Sequence, residues 1–380
     1  MLVRNGFLLS RGGLIGFCLW VVWLATSVPV WGQYNANQQR RDASAPLPEI
    51  EAELNDLAQT FQQNKMTTRA KDSINRHFST RLQTVLKRPD SYNYPFAKLI
   101  TLSRIFPEDQ SFRIFTWAFY VFDSIRQPVE TRYYGCIQRK LKLPNGQPYL
   151  QLKMLADVVE PNDKGEQTSF EFFSPEKWLG ALYYAPRHSE FGVLTYKGTV
   201  KMADGLTGKV EKRKVNYYIL LGLNQHNIEK NYKFIDVITF DPKDTNTISF
   251  GAPIFYFSGN IARKRVVFEY TDNSPFTLNL GYILTENFSR KRKELVIVFD
   301  HLDQMGKSPQ QHRQAAGADG TYDAFYFYKR KLGGNQRGLF FFLRNVTVYA
   351  AGLEQFRPKE LKRQKRNNRK RIRRLQVPFR

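Results

Sequence analysis

Asp236, Glu269, Asp300 and His301 are the residues of this chain whose types could carry catalysis: three carboxylates and an imidazole, each beside or within its own apolar run. An acid and an imidazole brought together from different strands can move protons in a hydrolysis, one as general base and the other as general acid. Asp300 and His301 are adjacent, so on a regular strand they point to opposite faces and share a site only where the backbone bends. The competing reading is satisfied hydrogen bonding at strand ends, because any large β protein offers such pairs.

Other chemistries find little support. His77, His188, His226, His301 and His312 are scattered, with no HxH or HExxH spacing, so no metal site is expected. No GxSxG, phosphate-binding glycine loop or dinucleotide fingerprint occurs, so no cofactor is expected. Asp319 and Asp323 flank a loop glycine, Gly320, but lack the further oxygen ligands of a calcium loop. Cys136 lies inside the strand-like run Arg132-Tyr133-Tyr134-Gly135-Cys136-Ile137 and reads as a small buried hydrophobe.

Charge points to a partner instead. The formal net charge is +24, and residues 357–380 hold twelve Lys or Arg against one acid, Glu360. A run that dense repels itself and buries no core, so it reads as a solvated tail or a helix formed on a partner. Its densest part, Lys362, Arg363, Lys365, Arg366, Arg369, Lys370, Arg371, Arg373 and Arg374, is the candidate anion-binding segment.

The elements that must position these residues follow from periodicity. Ile50, Leu54, Leu57 and Phe61 recur at helical spacing, as do Ile74, Phe78, Leu82 and Val85, with Pro89 as a stop. A third short helix is expected over 96–105, and another over 175–179. From Ser111 the period becomes two. Strands are expected over 112–122, 131–140, 149–155, 182–184, 192–201, 215–223, 234–240, 248–257, 265–271, 276–283, 295–302, 324–329 and 339–349. Hairpin loops are expected at Pro144-Asn145-Gly146, Ala203-Asp204-Gly205 and Gly333-Gly334-Asn335. The 265–270 strand alternates well enough to expose one face, whereas Leu339–Leu343 is apolar on both. The fold class expected is α+β, mainly β. A helical region (48–107) precedes a large antiparallel β meander (108–352), closed or folded into a barrel, sandwich or propeller-like stack. A flexible leader (33–47) and a polybasic tail (353–380) flank them. The helices either form a subdomain or pack on the sheet that follows.

Several blocks occur in order: Tyr217–Gly222, Lys233–Phe240, Phe250–Phe255, Arg265–Tyr270, Val298–Leu302 and Thr321–Ala324. This series resembles a family of uncharacterised exported proteins of Bacteroidota over roughly residues 110–345. The resemblance implies export and brings no activity with it. Relatives tend to carry an acid shortly after the glycine matching Gly222, where this chain has Leu223-Asn224-Gln225-His226-Asn227. Loss of a metal or hydroxyl ligand is one reading of that departure, and a hairpin turn is the simpler one.

The first 32 residues agree with export. Arg4 and Arg11 precede the apolar run Gly13–Ala25, and Val30-Trp31-Gly32 offers a small-residue cleavage site, which together read as a signal peptide. Cleavage is expected after Gly32, which removes Cys18 and leaves one cysteine with no internal disulfide. The alternative is an uncleaved segment anchoring the chain in the inner membrane. The expectation is an exported protein of the periplasm or the periplasmic face of the outer membrane. It would be structural or binding rather than enzymatic, its tail meeting lipid A phosphates, acidic lipid or acidic polysaccharide. Nucleic acid is expected only outside the cell. A periplasmic hydrolase using Asp236, Glu269, Asp300 and His301 is the alternative.

Overall fold

The computed structural model describes residues 45–125, 127–157, 166–186, 192–203, 210–225, 231–257, 261–270, 276–287, 290–302, 318–328 and 338–346. Two helices come first. Helix α1 (Leu47–Phe61) buries Ile50, Leu54, Ala58 and Phe61 along one stripe. Helix α2 (Thr68–Leu86) buries Phe78, Leu82 and Val85. Its first turn is capped by Thr67, whose hydroxyl accepts from the Ala70 amide at 3.3 Å.

The helix expected over 96–105 is absent. Phe96 has a positive φ of 48°, and residues 103–107 are instead strand β1 (Ser103–Pro107). The apolar spacing there has another cause. Phe96, Leu99 and Leu102 insert from a loop into the core beneath the helices, while Ile105 faces the opposite side of the sheet. The helix expected over 175–179 is also absent. A turn there is closed by Lys177 N donating to the Ser174 carbonyl at 3.1 Å.

From β1 onward the described residues are β-rich. Strands β2 (Phe112–Phe122), β3 (Pro128–Lys142) and β4 (Pro148–Ala156) form one meander, and β6 (Gly192–Ala203), β7 (Val210–Gln225) and β8 (Asn231–Phe240) form another. Short strands β5 (Leu182–Tyr184) and β9 (Ile248–Phe250) pair with β7 and β8. With β12 (Val266–Tyr270) they make a ten-stranded sheet in the order β12-β8-β7-β6-β1-β2-β3-β4. The two meanders are sewn together by a two-residue parallel seam between β1 and β6, Phe106 opposite Gly192 and Pro107 opposite Val193. A second, six-stranded sheet runs β11-β10-β16-β15-β14-β13. Its members are β10 (Phe255–Tyr256), β11 (Ala262–Arg263), β13 (Leu278–Asn287), β14 (Arg290–Leu302), β15 (Ala318–Tyr328) and β16 (Leu339–Leu343). Its β10–β16 contact is parallel. The other strand pairings of both sheets are antiparallel. The run expected as one strand over 248–257 is broken where Gly251 takes a φ of +96°.

The large sheet is twisted into a half-barrel, as long antiparallel sheets tend to be. Alternation then gives every strand two jobs. On β2, Phe112 and Ile114 face inward, whereas Phe115, Trp117, Phe119 and Val121 face outward onto α1 and α2. At the other end of the sheet, Tyr217, Ile219, Ile235, Val237, Val266 and Phe268 face outward onto the second sheet. That core is aromatic, with Phe255, Phe299, Phe325 and Phe340 all buried. Each such ring is worth about 1.5–3 kcal/mol in removed apolar surface.

The hollow of the half-barrel is filled by its own chain. Residues 166–184 run across it, starting in a 3-10 turn (Glu166–Phe170). The segment is held by a bridge from Phe173 to Phe250 and by Trp178 N donating to the Ala156 carbonyl at 2.8 Å. Gly222 lies under this plug, where a Cβ would come within 3.1 Å of the Tyr183 ring. Among the described residues, no helix is long and apolar enough to cross a membrane.

Candidate functional site

Asp236 sits on the inner face of β8, buried beneath the plug. Its Oδ1 accepts from Arg265 Nε at 3.1 Å and from the Val237 amide at 2.9 Å, and its Oδ2 accepts from the Tyr183 hydroxyl at 3.3 Å. The Tyr183 oxygen in turn accepts from Trp178 Nε1 at 3.0 Å. Burial first, and the Asp236 charge second, push the Tyr183 hydroxyl well above its ordinary range. Arg265 is fully buried and donates from Nη1 to the carbonyls of Thr168 and Glu171 at 2.8 and 3.1 Å. Its guanidinium lies 4.5 Å from the centre of the Phe173 ring. The network ties sheet to plug.

Asp300 and His301 part company. Asp300 Oδ2 accepts from the Thr277 amide at 2.5 Å, and the Asp300 amide donates to the Thr277 carbonyl at 3.1 Å. It serves the β13–β14 side. His301 turns the other way, its Nδ1 2.7 Å from Oδ2 of Asp323 on β15. The other Asp323 oxygen accepts from the Asn345 amide at 2.7 Å. Arg344 Nη2 lies 3.2 Å from His301 Nε2. Guanidinium can only donate, so these partners assign a neutral imidazole with its proton on Nδ1. The β14–β15 register shifts between Asp300 and Leu302, so the backbone does bend here. The bend joins His301 to Asp323, not to Asp300.

A carboxylate behind Nδ1 is the arrangement that orients a catalytic histidine. Here Nε2, the atom that would take a substrate proton, faces Arg344, and among the described residues the ring nitrogens meet Asp323 and Arg344. The dyad is buried, with side-chain exposures of 5% and 0%. It clasps β14, β15 and the chain that follows β16.

Glu269 stands apart from all of these, exposed on β12 opposite Tyr232. Burial, with the Glu269 charge second, pushes Tyr232 up to about 12. The four expected residues therefore fall into four surroundings. Asp323 and Arg265 complete two of them, and nothing in their spacing marked them as partners. Asn224, in the segment expected as a turn, is still on β7 and fully buried. Its amide donates to the Gly180 carbonyl at 2.7 Å, which anchors the plug. Among the described residues no three His, Cys, Asp or Glu side chains are grouped to hold a metal. Cys136 is fully buried under the helices, and burial pushes its thiol up to about 12. The signal segment, the loop at Gly333-Gly334-Asn335 and the basic tail from Lys362 to Arg374 lie outside the described residues.

No protein-family model, curated protein or solved structure matches the chain.

Proposed function

We propose that this is an exported cell-envelope protein that binds rather than catalyses, drawn to anionic surfaces by its basic segment 357–380. The observation that carries the reading is the dispersal of Asp236, Asp300 and His301 into separate buried hydrogen-bond sets, with Glu269 exposed. Hydrolysis by these groups needs two of them lining one cavity with a free proton-accepting atom. The interior of the half-barrel is filled by residues 166–184, which supports binding at the surface instead. The net charge of +24 supports an anionic partner.

Vesicles of phosphatidylcholine with and without phosphatidylglycerol test this. The full chain should bind only the anionic vesicles, lose affinity steeply as salt rises, and lose binding on deletion of 357–380. Binding retained after that deletion would move the interaction to the body. Cell fractionation and sequencing of the mature N-terminus test export. A start at Gln33 supports release, and an intact Met1 supports the anchored alternative.

A further inference from the structure

Where the first turns of α2 cross β3, the surface is indented by a groove of about 630 Å³. Arg69, Asp72, Asn75 and Arg76 reach it from one face of the helix, and Arg132 and Tyr134 from one face of the strand. A volume of this size suits a small ligand of sugar dimensions.

Its charges are not balanced. Arg132 Nη1 donates to both oxygens of Asp72 at 2.9 Å, and its Nε donates to Glu130 at 3.0 Å. Asp72 is thereby committed to the strand, although Arg69 and Arg76 lie three residues before it and four after it on its own helix. Both of these arginines are exposed and have no carboxylate partner among the described residues. The groove therefore presents two guanidiniums without a carboxylate beside a third shared by two carboxylates, a net charge of one positive for the five groups.

Its floor is rigid and mostly apolar, with a few polar atoms set into it. Asn75 is only 3% exposed, and its Oδ1 accepts from Trp117 Nε1 at 2.8 Å. That bond commits the amide oxygen, and the NH2 group of this groove-lining residue has no acceptor among the described residues. Tyr134 is held flat, its ring 17° from that of Trp117 and 19° from that of Phe119. Its hydroxyl has no protein partner among the described residues. A buried amide donor, a locked phenol and two guanidiniums ask for a ligand with a negative charge and hydroxyl groups.

We infer that this groove binds an acidic sugar unit, its carboxylate or phosphate between Arg69 and Arg76 and its hydroxyls on Asn75 and Tyr134. The inference rests on the envelope-binding reading and adds a stereochemically defined site in the body to the diffuse attraction of the tail. Carboxylate and phosphate share this chemistry, and either an acidic polysaccharide or a phosphorylated glycolipid head group would present it.

Titration calorimetry of the full chain with glucuronate, glucose 6-phosphate, glucose and inorganic phosphate tests the site and separates the two sources. One of the two acidic sugars should bind more tightly than glucose and than inorganic phosphate. Arg69→Gln with Arg76→Gln should weaken it by roughly tenfold or more, since two charge-assisted hydrogen bonds are lost. Tyr134→Phe should weaken it several-fold. Lys65→Gln with Lys87→Gln, which removes two exposed charges elsewhere on the helical region, should leave it unchanged. Glutamine is a good helix former, so the exposed substitutions should leave the circular dichroism intact. Equal loss in both double variants, or no loss in the groove variant, overturns the inference. So does a full chain that binds neither acidic sugar. The vesicle experiment remains independent: deletion of 357–380 can abolish vesicle binding while sugar binding survives, and the converse separates the two failures.

Discussion

Two arginines enter this protein from opposite faces of the same curled sheet, and they are met differently. Arg113, on the outer face under the helices, has no carboxylate at its guanidinium among the described residues. It donates to the carbonyls of Tyr94 and Ser91 at 2.8 and 2.9 Å and to Gln138 Oε1 at 3.0 and 2.7 Å. The rings of Tyr92, Phe96 and Phe115 lie 5.0–5.6 Å from it. Burial pulls it down to about 10. Arg265, on the inner face under the plug, has two carbonyls, one ring and a formal anion, Asp236. The difference follows from enclosure. Arg113 keeps some access to water, so dipoles and ring faces suffice to hold the charge. Arg265 has none, and a fully desolvated cation requires an opposite charge.

Removing one partner from the enclosed pair should therefore do the most damage. Asp236→Ala leaves Arg265 charged, dry and unpaired, and should cost about 3–5 kcal/mol of unfolding free energy. It also frees the Tyr183 hydroxyl, so plug residues should gain hydrogen exchange first. Urea denaturation and exchange mapping measure both. The double change Asp236→Leu with Arg265→Met should recover most of that loss, because a buried ion pair traded for apolar groups of similar size is often near neutral. A double variant as unstable as Asp236→Ala would show that the pair's hydrogen bonds to the plug, not its charges, are what matter.

Arg113→Met should cost less, about 1–3 kcal/mol, from the stranded Gln138 oxygen and two carbonyls. If it proves as damaging as Asp236→Ala, the contrast between the two faces fails.

How far this contrast could be read from the chain depends on which interactions are local. Period-two alternation and turn residues marked β2 and β5 with the bounds that are observed, and Pro144-Asn145-Gly146 as the β3–β4 loop, where Gly146 has a φ of +82°. The spacing of Phe96, Leu99, Leu102 and Ile105 misled, because a loop that dips repeatedly into a core can mimic a helix face. The polar pairs were hidden for a different reason. Asp236 and Arg265 are 29 residues apart, and Arg265 opens a strand whose alternation made a charge look solvent-facing. His301 was visible as a residue type, yet its partner is chosen by the bulge after Asp300, and a register shift leaves no mark in composition. What a sequence pattern conveys is which face is apolar. Which polar group crosses that face is decided by long-range register.

The smallest expected effect lies beside Arg113, at Cys136. Its thiol faces the helical core, and burial raises it from an ordinary value of 9.0 to about 12, the Arg113 charge acting second and in the opposite direction. Between these two values the unfolded chain loses the thiol proton while the native protein keeps it. The folded state then binds more protons, so stability falls as pH rises through that window and is fully retained below it. The slope from one such group is about 1 kcal/mol per pH unit. Buried tyrosines add their own slopes, so the readout must be a difference. The native protein should lose ground to Cys136→Ala steadily from pH 9 upward, although the alanine variant is the less stable of the two at pH 7, where it has lost packed volume. The same thiol should resist a thiol reagent in the folded protein and react in urea. Parallel pH profiles for the two proteins would mean that water reaches the thiol. The outer face around Arg113 would then be wetter than its bonding indicates, which would also explain how that arginine manages without an anion.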